Sequence, residues 1–206
     1  MRSLFFALFL IVTSQSALAQ IVHELHDEID TGNIELLSAR GNGNASGTTL
    51  EGFLINQTED LMRVNIYLTR PLFFVNDSPF VNDRSRQNMI ASEVYYDDGD
   101  YLSDGRRPFI ELEPGIQTEV RFVAYSVDLD KVSPTAQENF SIGDMPGSLT
   151  SVMSSINALA YANPSMEITA IAQAAIWLAQ GETLDEIKTK IEITEAEEGL
   201  ARYFSQ

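Results

Sequence analysis

From Ile34 to about Asp130, apolar and polar residues alternate with a period of two. Met62, Val64, Ile66 and Leu68 alternate with Arg63, Asn65, Tyr67 and Thr69. Successive side chains of a strand point to opposite faces, so one of these sets meets a core and the other meets water. Thr118 to Val127 repeats the pattern, with Val120, Phe122 and Ala124 opposite Glu119 and Arg121. Ile34–Arg40, Thr48–Asn56, Leu72–Val75, Asn88–Tyr96 and Arg107–Leu112 are further strand candidates. Turn-forming stretches separate them: Gly41-Asn42-Gly43-Asn44, Asn56 to Asp60, Asn76-Asp77-Ser78-Pro79, Asp97-Asp98-Gly99-Asp100 and Pro114-Gly115. About seven short strands with no helical pattern between them predict an antiparallel β-sandwich of immunoglobulin-like size, with a barrel as the second choice. A parallel sheet would need crossover helices, and the pattern contains none.

The rhythm changes near position 130. Residues 131–147 carry Pro134, Gly143, Pro146 and Gly147 and read as a linker. Beyond it the spacing is helical. Leu149, Val152, Met153, Ile156, Leu159 and Ala160 make one apolar stripe. Asn163-Pro164 has the form of an N-cap followed by proline at the first helical position, and Gly181 is placed to end that helix. Its apolar face comprises Ile168, Ile171, Ala172, Ala175, Leu178 and Ala179. Thr183-x-x-Glu186 and Thr194-x-x-Glu197 have capping-box spacing. The two short helices they start are expected to bury Leu184, Ile187 and Ile191 in one, and Ala196, Leu200 and Phe204 in the other. The expected fold class is therefore α+β: a sandwich over 34–130, then three to four short helices over 148–206. A segment of about 59 residues is marginal as an independent domain, so docking on the sandwich is expected.

The start of the chain is different again. Met1-Arg2-Ser3 precedes an apolar run from Leu4 to Val12, and Ala17-Leu18-Ala19 forms a small-x-small site before Gln20. This is the pattern of a cleaved signal peptide over 1–19, and the apolar run is much shorter than the roughly twenty residues of a membrane span. Export to the periplasm or the extracellular space is expected, with no membrane span after cleavage and a flexible mature N-terminus over 20–33. The chain has no cysteine, which excludes disulfide frameworks, thiolate metal sites and cysteine nucleophiles. Thirteen basic against 30 acidic residues give a net charge of −17, and that charge opposes binding to nucleic acid.

Candidate chemistry is sparse. His23 and His26 are the only histidines, in His-Glu-Leu-His, which is one residue short of the H-E-x-x-H zinc spacing. No Gly-x-Ser-x-Gly elbow, phosphate loop or dinucleotide fingerprint occurs. Asp97, Asp98, Asp100 and Asp104 lie within eight residues, with Gly99 and Gly105 between and after them. Such a loop can supply oxygen ligands to calcium, although its spacing differs from the twelve-residue calcium loop. An Asp-Gly hairpin turn is the plainer reading. Tyr95, Tyr96 and Tyr101 flank the loop and are candidate ligand-facing aromatics for a sugar or protein partner.

Gln173-Ala174-Ala175-Ile176-Trp177 resembles the Gln-x-Ala-Ile-Trp helix segment of thioester domains in bacterial surface adhesins. The likeness covers five residues. Those domains crosslink the glutamine to a cysteine, and this chain has none to offer, so the resemblance implies no activity and no site. Gln173 and Trp177 stand four apart, as neighbours on one helix face. The expected function is an exported, non-catalytic module that binds a protein or glycan partner within a cell-surface or periplasmic assembly. A carboxylate-based secreted hydrolase, which leaves no linear signature, and a purely structural accessory protein are the alternatives.

Overall fold

The computed structural model describes residues 21–79, 86–96, 109–163 and 165–206. The expected signal peptide over 1–19 and the aspartate loop with Tyr101 lie outside these residues. The elements in chain order are β1 (Val22–His23), α1 (Leu25–Asp30), β2 (Ile34–Gly41), β3 (Ser46–Asn56), β4 (Met62–Asn65) and β5 (Tyr67–Asn76). They continue with β6 (Met89–Tyr96), β7 (Phe109–Leu112), β8 (Gln117–Ser126) and β9 (Asn139–Gly143). The helices α2 (Gly147–Ala162), α3 (Thr169–Ala179), α4 (Leu184–Ile187) and α5 (Glu195–Phe204) complete the chain.

Six strands close into a barrel in the order β2-β3-β8-β6-β5-β9, all pairs antiparallel. A small sheet, β1-β4-β7, lies beside it. The immunoglobulin-like sandwich is thereby corrected to a barrel, and the element that overturns it is β9. This strand sits within residues 131–147, where a linker was expected. It pairs with β5 from Phe73↔Gly143 to Asn76↔Phe140, and with β2 through Ala39↔Phe140 and Arg40↔Asn139. It therefore joins the two strands that would otherwise be the outer edges of an open sheet. Ladder irregularities between Leu36/Ser38, Thr48/Leu50, Ala91/Glu93 and Tyr67/Leu72 bend the strands enough to close.

The period of two sorts side chains between two cores. Leu72 and Phe74 of β5, Met89 and Ala91 of β6, and Phe122 and Ala124 of β8 belong to the barrel core, where the Phe74 and Phe122 rings meet edge to face at 5.2 Å. Phe73, Ile90 and Tyr125 alternate with them and belong to a second core, with Leu149, Val152 and Ile156 of α2 and Ala172, Ile176 and Trp177 of α3. The helices are thus docked on the outer face of the barrel wall, which is why these strands are apolar on both sides. Burial holds the Tyr125 hydroxyl far above its ordinary pKa, against a lowering hydrogen bond with Ser92.

Two carboxamides bolt the helices to strand backbone. Gln173 Nε2 donates to the Ser126 carbonyl at 2.7 Å, and the Ser126 N–H donates to Gln173 Oε1 at 3.0 Å while also reaching the Ala45 carbonyl. Asn157 Nδ2 donates to the Leu68 carbonyl, at the point where the β5–β6 ladder is interrupted. Buried carbonyls that a ladder leaves open must find a donor, and these side chains supply it.

Both capping boxes form: Thr183 with Glu186 at the start of α4, and Thr194 with Glu197 at the start of α5. Gly181, at φ +98°, follows α3. In α5 the buried small residue is Ala201, while Ala196 is exposed. Residues 22–30, in the stretch expected to be flexible, form β1 and α1, with Leu25 fully buried.

Gln173→Leu orphans the Ser126 carbonyl and is expected to cost about 1–3 kcal/mol, read as a lower urea midpoint at unchanged slope. Hydrogen bonds from the Thr194 side chain and backbone hold the Glu197 carboxyl below its ordinary pKa. That preference stabilises the fold above the ordinary glutamate pKa and disappears as pH falls through the lowered one. Amide exchange in α5 is expected to accelerate across this acid window in the wild type, and to show no such step in Thr194→Ala.

Candidate functional site

The barrel is not sealed along its whole length. β2 has eight residues and β9 has five. β2 is paired with β3 from Ile34 to Gly41, yet it meets β9 only at Ala39 and Arg40. The bulge at Leu37, between Leu36 and Ser38, adds twist where the two strands part. Ile34–Ser38 therefore has no strand partner on its second side among the described residues. Ser141, Ile142 and Gly143 pair with β5 alone.

A groove of about 1050 Å³ opens in this seam. Ile34, Leu36, Leu37 and Ala39 line one wall, Phe140, Ser141 and Ile142 the other, and Ile29 and Gly32 one end. Glu35, Ser38, Gln57, Asp77 and Asn139 add polar groups. Leu37 stands 43% exposed, a large apolar side chain left facing water at the bulge.

Helix α1 packs on both β2 and β5, and so bridges the two strands where β9 no longer reaches. Leu25 enters the barrel core and Ile29 packs against it. Polar ties surround this plug. The Thr69 hydroxyl donates to Glu24 at 2.8 Å, and Arg70 reaches Asp30 at 3.3 Å and Asp27 at 3.8 Å. Glu28 accepts from Asn33 at 2.7 Å and bonds His23 at the same distance. On the β5 side of Ile142 lies a second hollow of about 550 Å³, lined by His26, Asp30, Arg70, Asp144 and Thr150 among others. There His26 Nδ1 lies 3.1 Å from Asp30.

Of the residues singled out from sequence, those among the described residues lie away from the groove. Asp97, Asp98, Asp100, Asp104 and Tyr101 fall outside the described residues. Tyr95 is buried in the barrel core at 7% exposure. Tyr96 is half-buried, and its hydroxyl bonds the backbone of Glu111 in β7 as donor to the carbonyl (2.6 Å) and acceptor from the N–H. His23 and His26 turn to different carboxylates, Glu28 and Asp30. Among the described residues, which do not include the aspartate loop, no group of three or more histidine, aspartate or glutamate side chains could hold a metal. Gln173 and Trp177 of the thioester-like segment are both buried, one against Ser126 and the other in the helical core.

The seam itself was not anticipated. Its only trace in the sequence is Asn139-Phe140-Ser141-Ile142, an alternation four residues long between proline-bearing stretches.

Comparisons with family models, with curated proteins and with solved structures found no match. No helix among the described residues is long and apolar enough to cross a membrane.

Packing rather than charge is expected to hold α1 in place. Leu25→Ala is expected to cost about 2–5 kcal/mol by leaving a void in the core. Arg70→Ala removes pairs between exposed groups and is expected to cost less than about 1 kcal/mol. Urea unfolding of the two variants measures the contrast.

Proposed function

We propose that this chain is an exported binding module of a cell-surface or periplasmic assembly, and that the barrel seam holds a polypeptide partner. The observation that carries this reading is the groove of about 1050 Å³ between β2 and β9, apolar on both walls and open to solvent. A sheet ordinarily pairs or shields its edges, because unpaired N–H and C=O groups and apolar side chains recruit other chains. Here Ile34–Ser38 has no strand partner on its second side among the described residues, beside an exposed leucine and with α1 packed against only part of β2. Hydroxyl and amide groups from Ser38, Gln57, Asn139 and Ser141 surround it, a mixture of apolar floor and convergent polar groups that suits recognition. The leader-like start of the chain supports export.

The test pans a display library of random dodecapeptides over the intact protein, with a glycan array in parallel. A convergent family of peptides is expected. Their binding should be lost in Ser141→Trp, which fills the groove from an exposed position of β9, without a change in melting temperature. Failure to enrich any peptide sinks the reading. So does enrichment that Ser141→Trp leaves intact, or a glycan ligand that Ser141→Trp displaces.

A further inference from the structure

We infer that the partner enters the seam as an added β-strand along Ile34–Ser38, and that it is an extended segment carrying lysine or arginine. This rests on the seam as the binding site and specifies how it reads its occupant. The free side of β2 offers five consecutive residues of strand backbone, about 17 Å at the usual rise. The segment Ile34-Glu35-Leu36-Leu37-Ser38 contains no proline, lysine or arginine to blunt the edge against strand addition, and its single interruption is the bulge at Leu37. On its other side every residue of the segment except the bulged Leu37 pairs with β3, so most of the strand is already held in the extended form that a newcomer must match. That pre-organisation removes part of the ordering cost of association.

Main-chain pairing gives affinity, and alternate side chains give specificity. One alternate set of the incoming segment would lie over the apolar floor formed by Ile34, Leu36 and Phe140. The other meets the rim. The charged residues lining the groove are Glu35 and Asp77, both acidic, with no lysine or arginine beside them. Both are exposed, and Glu35 is held in place by a 2.6 Å hydrogen bond from Gln57 Nε2. The chain as a whole carries −17. Local and global fields therefore favour a cationic segment and repel an acidic one.

The probe is a soluble decapeptide in which valine alternates with lysine, together with a twin bearing glutamate in place of lysine. Titrated into the intact protein, the lysine peptide is expected to bind at least tenfold more tightly than its twin and to weaken as salt rises. N-methylation of one alternate set of backbone nitrogens, those turned to β2, is expected to cost at least tenfold, and methylation of the other set to cost little. Glu35→Gln with Asp77→Asn should weaken the lysine peptide several-fold, and Ser141→Trp should abolish it. Equal affinity for both methylation patterns or for the glutamate twin overturns the proposal, as does binding that survives Ser141→Trp and so reflects general attraction to an acidic surface. Library peptides that occupy the seam yet ignore N-methylation would remove strand addition while leaving the seam as the site. The absence of any peptide that Ser141→Trp excludes would remove both.

Discussion

A strand inside a sheet must satisfy its backbone on two flanks, and in this protein that demand falls on five residues. Asn139–Gly143 accepts β5 on one side along four residues and β2 on the other along two. Without it, β2 and β5 would be the outer edges of an open, strongly bent sheet whose inner face carries Leu54, Phe74, Phe122 and Val120. The short strand converts that bent sheet into a closed wall around a hydrophobic core. Its shortness is equally consequential. Where β9 stops, the wall has a gap, and the molecule deals with the gap in two ways.

Part of the gap is filled by α1, which inserts Leu25 into the core and is tied to β5 through Thr69 and Arg70. Part is left open as the groove beside Ile34–Ser38. On the outer face of β5, β6 and β8 the problem is different, since Phe73, Ile90 and Tyr125 would expose apolar surface if the helices were absent. There α2 and α3 cover the wall, and Asn157 and Gln173 act as surrogate backbone for Leu68 and Ser126. The same barrel is therefore insulated on one flank and accessible on another, and the difference comes from which neighbours reach each strand.

Much of the secondary structure was legible from periodicity, because Ile34–Gly41, Ser46–Asn56, Met89–Tyr96 and Gln117–Ser126 are long enough for alternation to show. The capping boxes at Thr183 and Thr194 were legible for a local reason, since their hydrogen bonds span three residues. The closure was not. Asn139–Gly143 is barely long enough to display a period, and its role depends on partners about seventy and one hundred residues away. The seam was hidden for the same reason: it is a mismatch between the lengths of β2 and β9, sharpened by a bulge at Leu37 that no residue type announces. Tyr95 shows the converse error. Its position beside a polar loop suggested exposure, whereas its ring is packed in the barrel core.

The pairing of Ala39 with Phe140 sets a condition on how the molecule comes into being. A ribosome delivers residue 39 long before residue 140, and until then the first strands have no ring to complete. Loop closure on that scale is entropically slow, and topologies dominated by such distant partners fold late rather than progressively. The barrel therefore closes only once the segment after residue 138 has been made.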